Sequence, residues 1–465
     1  MNKDNLNFIS GFRYLVEFGK LLGWPVIFII FLSFMASLVE AVGLLGVLPV
    51  ILGEVPSEIG FLNSLLQGLS FTTVLFLFFL IFIVKSFFFF ASLAMIAIYK
   101  GRLLYKLKSE LFNAYTFARY KDLDKSVGYF SNIIGEQATK SLQAFNFLIE
   151  MTSQFFGAFV YLVAGFLASY QVGLLLLFAG TLVIFGFNRL NLYAKSLSDK
   201  TVLAHKLLAD GVIRIFHGFG FLRSTGRLRV VARSVKELIE QLTKLQIQQG
   251  VASSFTAAIR EPIIISLFTI ALFIHVEVQD GEVATIIVSL VLFYRGFNSF
   301  HAVQNNSQRA FEFISSFELV LRDTKKFQKN PESFGNCVPQ GGEEITFKNV
   351  HFSYTDPVLK GLTLSIKPEK CSAFVGLSGS GKSTCIKMIP GLLMPDSGLV
   401  MVGDLALENL DLSLWRENIG YVDQSSWLGG GTIIENLSLE AVTPDNHIKV
   451  ENQVSNMLVS VGLGE

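Results

Sequence analysis

Cys371-Ser372-Ala373-Phe374-Val375-Gly376-Leu377-Ser378-Gly379-Ser380-Gly381-Lys382-Ser383-Thr384-Cys385-Ile386-Lys387-Met388-Ile389 is the stretch from which the rest of the chain is read. Its first five residues are apolar or small and predict a strand. Residues Gly376 to Thr384 fit the spacing G-x-x-x-x-G-K-[ST], a helix is expected over Cys385 to Ile389, and Pro390-Gly391 stops it. Glycines at these positions let backbone N–H groups turn inward around phosphate oxygens, and the following helix start adds partial positive charge. In that arrangement Lys382 reaches the β and γ phosphates of a nucleotide and the Ser383 hydroxyl sits on Mg²⁺. A chance glycine-rich turn would lack the strand before it and the helix after it.

Towards the N-terminus, Ile345 to Tyr354 alternates as a strand. Ahead of it, charge appears from about residue 303, and Asn330-Pro331 and Pro339-Gln340-Gly341-Gly342 break any helix. The expected division is a helical domain over 1–302, a linker over 303–342, and the front part of a nucleotide-binding α/β domain over 343–465.

Residues 1–302 are of a different character. Hydrophobic residues make up 51% of the 465-residue chain and charged residues 16%, against about 25% charged in a soluble protein, and mean hydropathy is +0.51. Six stretches, near 24–50, 70–98, 147–169, 171–189, 255–277 and 283–301, are long and apolar enough to span a bilayer, which needs about 20 residues per helix. The predicted fold class is therefore an all-α polytopic membrane domain of six transmembrane helices followed by an incomplete α/β domain. Ser169-Tyr170-Gln171 is expected as a tight turn between the third and fourth spans. Many of the 45 phenylalanines, such as Phe87 to Phe90, lie in these runs, where lipid contact or helix packing explains them. A net charge of +1 argues against a nucleic-acid partner. Cys337, Cys371 and Cys385 show no metal spacing and are read as reduced thiols.

The loops alternate in charge. Glu54 and Glu58 lie between the first two spans, and Glu277, Asp280 and Glu282 between the last two, without any Lys or Arg. Stretches 100–145 and 189–250 are rich in both, from Lys100 and Lys121 to Arg214 and Lys244. The positive-inside rule places these two stretches and both termini in the cytoplasm of a multi-pass protein of the plasma (inner) membrane. Their helical apolar spacing predicts that the helices run on beyond the bilayer surface.

With those residues in hand, the chain resembles the ABC exporters, which have six membrane helices, two long cytoplasmic loops and then an ATP-binding domain. Val350-His351-Phe352-Ser353-Tyr354 looks like the family's adenine-stacking segment, which implies that Tyr354 stacks on the base. Gly391 to Gly398 looks like the turn before the next strand. Ile419-Gly420-Tyr421-Val422-Asp423-Gln424 is similar to the strand that ends in the family's Q-loop, so Gln424 is implied to meet Mg²⁺ or the attacking water. The cofactor-binding residues implied are thus Tyr354, Gly376, Leu377, Ser378, Gly379, Ser380, Gly381, Lys382, Ser383, Thr384 and Gln424, for ATP and Mg²⁺. The implied partners are a second transporter half, membrane lipid and a transported substrate. Leu38 to Pro49, Arg260-Glu261-Pro262 and Tyr294-Arg295-Gly296 are similar to exporters that flip lipid-linked oligosaccharides.

The family's Leu-Ser-Gly-Gly-Gln-like signature, its Walker B carboxylates and its switch histidine are not found before Glu465, so the sequence reads as C-terminally truncated, with no catalytic residue assigned. ATP-driven export or flipping, a non-catalytic ATP-binding subunit of a heteromeric transporter, and an inactive truncated product all remain open on the sequence. Without later strands, Cys371–Val375 is expected to form an unpaired apolar edge of a parallel sheet.

Two charged residues stand inside expected spans. Glu40 and Lys85 each mark a candidate functional position, because burial there is costly unless the charge is paired or hydrated. Counted along their spans, direct pairing needs a favourable tilt, and Lys85 is open to pairing, snorkelling or contact with a headgroup. Arg260 and Arg295 are expected to snorkel near the cytoplasmic interface.

Overall fold

The computed structural model describes residues 8–52, 70–123, 127–171, 173–174, 193, 196–197, 200–201, 203–205, 207–278, 283–332, 335–338, 341–423, 428–439, 443 and 445–463. Two compact units divide the chain. One holds Met1–Thr116 and Lys125–Lys326, the other Phe117–Asp124 and Phe327–Glu465.

The first unit is helical. Its elements are α1 (Phe8–Leu22), α2 (Pro25–Leu52), α3 (Phe71–Thr116), α4 (Val127–Asn132), a π-helical turn, α5 (Ala138–Ala168), α6 (Phe219–Ser224), α7 (Leu228–Phe273) and α8 (Val283–Lys329). Among the described residues, four helices are long and apolar enough to cross a membrane: Pro25–Gly46, Phe71–Thr116, Gly128–Ala168 and Ile286–Lys329. They overlap the first, second, third and sixth expected spans. Nearly all of the fourth, 171–189, lies outside the described residues. The fifth, 255–277, falls on α7 and the π-turn after it, where the apolar helix among the described residues is Glu261–Phe273. The count of six is thus not reproduced among the described residues.

The long helices do continue past a bilayer. α3 has 46 residues and α8 has 47, about 70 Å each at 1.5 Å per residue, against a hydrocarbon core of about 30 Å. α8 stops at Lys329, where Asn330-Pro331 denies the next turn its hydrogen bond. α5 ends at Ala168, and Ser169 turns extended before Tyr170 and Gln171 resume helix.

Small residues set the helix crossings. A Cβ on Gly43 would lie 2.7 Å from Ile81 Cγ2, and one on Gly165 would lie 2.9 Å from Phe293 Cε2. Ser33 and Ser92 share a hydrogen bond of 2.7 Å between α2 and α3, and Ser289 Oγ donates to the Gly165 carbonyl at 3.0 Å between α8 and α5. Close approach and interhelical hydrogen bonds are what hold helices together where lipid is as apolar as leucine. α1 buries Tyr14, Leu15 and Phe18, and Phe18 stacks on Phe317 of α8 with centroids 4.1 Å apart.

The second unit is built on a four-stranded antiparallel sheet in the order β2-β1-β3-β4, from β1 (Ile345–Ser353), β2 (Pro357–Ile366), β3 (Ser397–Val402) and β4 (Leu405–Ala406). The alternation read over Ile345 to Tyr354 corresponds to β1, whose Phe347, Val350 and Phe352 are buried with Val400 and Val402 of β3. Phe347 faces Leu364 on one side and Val400 on the other. The strand bulges after it, where Asn349 takes φ +49°. Opposite the bulge, a Cβ on Gly398 would stand 2.2 Å from the Asn349 carbonyl oxygen, at φ +84°, so glycine is required there.

Two expectations are corrected here. The sheet is antiparallel among the described residues, and neither Cys371–Val375 nor Ile419–Asp423 forms a strand. Both segments are largely apolar, but among the described residues no ladder partner pairs with them, so they are irregular and Val375 is 93% exposed. Strand propensity is realised only when neighbours supply the hydrogen bonds.

Among the described residues four α-helices complete the unit: α9 (Lys382–Met388), α10 (Leu412–Glu417), α11 (Ile433–Ser438) and α12 (His447–Ser460). α10 anchors the turn that follows α9. Its Trp415 Nε1 donates to the Ile389 carbonyl at 2.8 Å, and Arg416 donates to Pro390 O at 2.9 Å while pairing in a fork with Glu332. Asp411 starts α10: its Oδ1 accepts from the amides of Ser413 at 2.9 Å and Leu414 at 3.3 Å. Asp411→Ala is expected to cost about 1 kcal/mol of local stability, the usual worth of such a cap. Hydrogen exchange over 411–418 should then be about fivefold faster than in the wild type, and unchanged exchange would show that Trp415 and Arg416 hold the helix without its cap.

Candidate functional site: a phosphate-type loop

The loop 376–381 turns tightly. Ser380 N donates to Leu377 O at 3.2 Å, and Gly379 and Gly381 take φ of +82° and +91°, values that a side chain disfavours. Gly381 also packs against β2, where a Cβ would fall 2.6 Å from Leu359 Cδ2. A Cβ on Gly376 would stand 2.7 Å from Ser380 Oγ. The hollow of the loop is therefore one that only glycine backbone leaves open.

α9 begins at once, with Cys385 N donating to Gly381 O at 2.9 Å. It starts at Lys382, three residues before the expected start at Cys385. The Lys382 ammonium curls over the loop and donates to the carbonyls of Gly376 at 2.8 Å and Leu377 at 2.7 Å. Of the two hydroxyls that follow, Ser383 is exposed and Thr384 is buried. Ser378 and Ser380 stand exposed on the rim.

Tyr354 follows β1 directly. Its ring is 52% exposed and sits edge-on to Phe352, centroids 5.0 Å apart. Tyr354 also lies near enough to Lys387 of α9 to act on its charge, so the strand end and the loop's helix are neighbours. Gln424 lies outside the described residues. Cys337, Cys371 and Cys385 are free, and among the described residues no three His, Cys, Asp or Glu side chains cluster as a metal site.

One part of this surface was not read from the sequence. The single turn Tyr120–Asp122, between α3 and α4, belongs to the sheet unit. Lys121 Nζ lies 3.0 Å from Asp396 Oδ1 and 4.6 Å from the Phe352 ring centre. Asp396 Oδ2 accepts from the Ser353 amide at 2.7 Å. The Lys121 ammonium, with that amide, holds the Asp396 carboxyl below its ordinary pKa. The Tyr120 hydroxyl accepts from Lys387 Nζ at 2.9 Å, which raises the lysine's pKa. Lys121 reads in the sequence as one of many loop cations. Its partner is 275 residues away, and no local pattern joins them.

Residues 359–465 match the family described as ABC transporter. The chain is 43% identical over 102 residues to ABC multidrug transporter mdr4 of Aspergillus fumigatus, covering 21% of this chain and 8% of that protein. It is 25% identical over 322 residues to ABC transporter B family member 6 of Arabidopsis thaliana, covering 66% and 22%. It is 28% identical over 270 residues to the transport/processing ATP-binding protein ComA of Streptococcus pneumoniae, covering 56% and 37%. The chain thus spans well under half the length of these relatives. Two of the three similarities are longer than the matched domain's 107-residue stretch and reach beyond it. Residues 359–465 are thus a domain of the ABC transporter family, and the chain, with span-length helices ahead of that domain, is similar to ABC transporters over a longer stretch.

Proposed function

We propose that this chain is a half of an ATP-driven exporter, binding ATP with Mg²⁺ at the loop 376–384 and moving its substrate through the helical part together with a second transporter half. The observation that carries this reading is the Gly376–Lys382 hollow, whose lysine already sits over backbone oxygens where phosphate oxygens would lie. ATP supplies the free energy of transport through phosphoryl transfer. The chain's own residues have positional roles. The backbone amides around Gly379 and Gly381 receive phosphate oxygens, Lys382 exchanges its two carbonyl partners for phosphates, and the exposed Ser383 hydroxyl holds Mg²⁺ with Gln424. The absence of an acidic cluster among the described residues fits a metal held chiefly by phosphate. The basic stretches 100–145 and 189–250 support a cytoplasmic position for the ATP-binding domain and both termini, in a multi-pass protein of the plasma membrane.

The test separates base from phosphate. ATP and inorganic tripolyphosphate are titrated onto the full chain and onto Tyr354→Ala. Stacking on an aromatic ring is worth about 1–3 kcal/mol per base, so the variant should bind ATP about tenfold or more weakly and tripolyphosphate within about twofold of the wild type. Equal loss of both ligands would make Tyr354 a strand-end residue. A wild type that binds neither would end the reading.

A further inference from the structure

The segment that follows α8 is fastened to the sheet unit at two places. Ala118 bridges Pro331, and Glu332 N donates to Phe117 O at 2.8 Å, just past the end of α3. Farther on, the segment pairs with the chain that leads into α10. Gly335 N donates to Leu410 O at 2.8 Å, Cys337 N to Asn409 O at 3.0 Å, and Asp411 N back to Cys337 O at 2.9 Å. A Cβ on Gly335 would fall 2.1 Å from the Asn409 carbonyl oxygen, so the two backbones meet where only glycine fits. All of these residues belong to the sheet unit.

α10 in turn grips the far end of the phosphate-loop helix. α9 has seven residues, from Lys382 to Met388, about 10 Å of helix. A helix so short is marginal by itself, so α9 owes its direction to what holds its ends. The last carbonyls of a helix find no partner within it. Just past α9, Trp415 donates to Ile389 O at 2.8 Å, and Arg416 donates to Pro390 O through Nε at 2.9 Å and to Gly391 O through Nη2 at 3.3 Å. A cation is the charge that such an end favours. The other edge of the same guanidinium meets the linker: Nη1 donates to Glu332 Oε2 at 3.1 Å and Nη2 to Oε1 at 2.5 Å. The head is planar and rigid, so the fork with Glu332 also sets the plane in which Nε and Nη2 meet the turn after α9. The Arg416 and Glu332 side chains are 30% and 23% exposed, and a partly buried pair is screened less than one on the surface.

We propose that Glu332 is a positioning residue for nucleotide binding: through Arg416 it holds the C-terminal end of the helix whose first residues, Lys382 and Ser383, receive the phosphates. Docking of the segment after α8 thereby sets the affinity of the loop. This rests on the reading of 376–384 as the ATP site.

The experiment titrates ATP and inorganic tripolyphosphate onto the full chain and follows hydrogen exchange in the same samples. Glu332→Gln keeps the side chain's shape and removes its charge. It should lower the affinity for both ligands about fivefold, because a charged fork becomes a neutral contact and because α9 carries the phosphates and not the base. Exchange over 384–391 should quicken by a similar factor. Glu332→Asp keeps the charge at a shorter reach; it should fall between Gln and wild type, and it carries the test if Gln loosens the whole domain. The exchange of charges, Glu332→Arg with Arg416→Glu, should restore slow exchange over 332–338 but not affinity, since a carboxylate has no hydrogen to give the carbonyls of Pro390 and Gly391. Wild-type affinity in that double variant would overturn the proposal. So would a Glu332→Gln protein with quicker exchange at 332–338 but wild-type exchange at 384–391 and wild-type affinity for both ligands. A wild type that binds neither ligand would end the ATP reading alone. The hold on α9 would then be judged by exchange at 384–391, upheld if Glu332→Gln quickens it and overturned if it does not.

Discussion

Lys382→Ala is expected to lower ATP affinity by about 100-fold or more. The ammonium is the one side-chain cation that the loop itself carries, and charged hydrogen bonds to two phosphate groups are worth about 1.5–3 kcal/mol each, where 1.4 kcal/mol is a factor of ten. The structure adds a second consequence. In the absence of nucleotide Lys382 donates to Gly376 O and Leu377 O, so alanine also removes the two bonds that draw the loop over itself. Lys382→Ala should therefore show faster hydrogen exchange at 376–381 as well as weaker binding of a fluorescent ATP analogue to the full chain. Lys382→Arg separates the effects. It keeps a cation and donors for the carbonyls, but its planar head does not reproduce a compact ammonium between phosphates. It should restore slow exchange and leave affinity well below that of the wild type. An alanine variant that bound nucleotide within threefold of the wild type would remove Lys382 from the site.

The loop, β1 and the long helices were legible because their signals are local. Gly376–Lys382 carries its geometry in glycine positions, Ile345–Ser353 in a two-residue alternation, and α3 and α8 in runs of apolar residues that continue into amphipathic ones. Cys371–Val375 shows the limit of such signals. Its composition is that of a strand, but a strand needs partners, and composition does not record whether they are there. The antiparallel order of the sheet was unreadable for a related reason: β1 pairs with β3 across a stretch that includes the phosphate-type loop, and nothing in either strand names the other. The cluster at Glu40, which pairs with Lys85 of α3 at 2.8 Å and with Arg295 of α8 at 3.0 Å, lies between these cases. Arg295 therefore does not snorkel alone as expected; it reaches the acid of another helix. Each charge was conspicuous in its span, but their meeting depends on helix register. Ser33 opposite Ser92 and Gly43 opposite Ile81 fix an antiparallel register of α2 and α3, and the same register puts Glu40 opposite Lys85. Counting residues from the presumed membrane surface hid this, because it fixed depth on each helix separately.

That register makes Glu40 the residue whose loss should most disturb the helical unit. Glu40→Leu leaves Lys85 and Arg295 facing each other with no anion and strips Tyr161 of its acceptor. Removing one partner of a buried ion pair commonly costs about 3–5 kcal/mol, because the remaining charge is left uncompensated. Leucine nearly conserves volume, so the loss would be electrostatic and not a cavity. Glu40→Gln keeps an oxygen for the Tyr161 hydroxyl and should fall between leucine and wild type. The decisive comparison is with Arg295→Gln. It deletes an equally conspicuous charge, but it leaves Glu40 and Lys85 as a neutral pair and should cost far less. Restoring balance from the other side gives the last check: adding Lys85→Met to Glu40→Leu removes one of the two orphaned cations and should recover at least about 1 kcal/mol, a coupling of the size seen between side chains in direct contact. Thermal unfolding of the wild type and these four variants in one detergent reads all of these differences. If Glu40→Leu melted with the wild type, or if Lys85→Met made it worse, the carboxylate would not be the group that holds the two cations, and the distances around it would not reflect a bound charge.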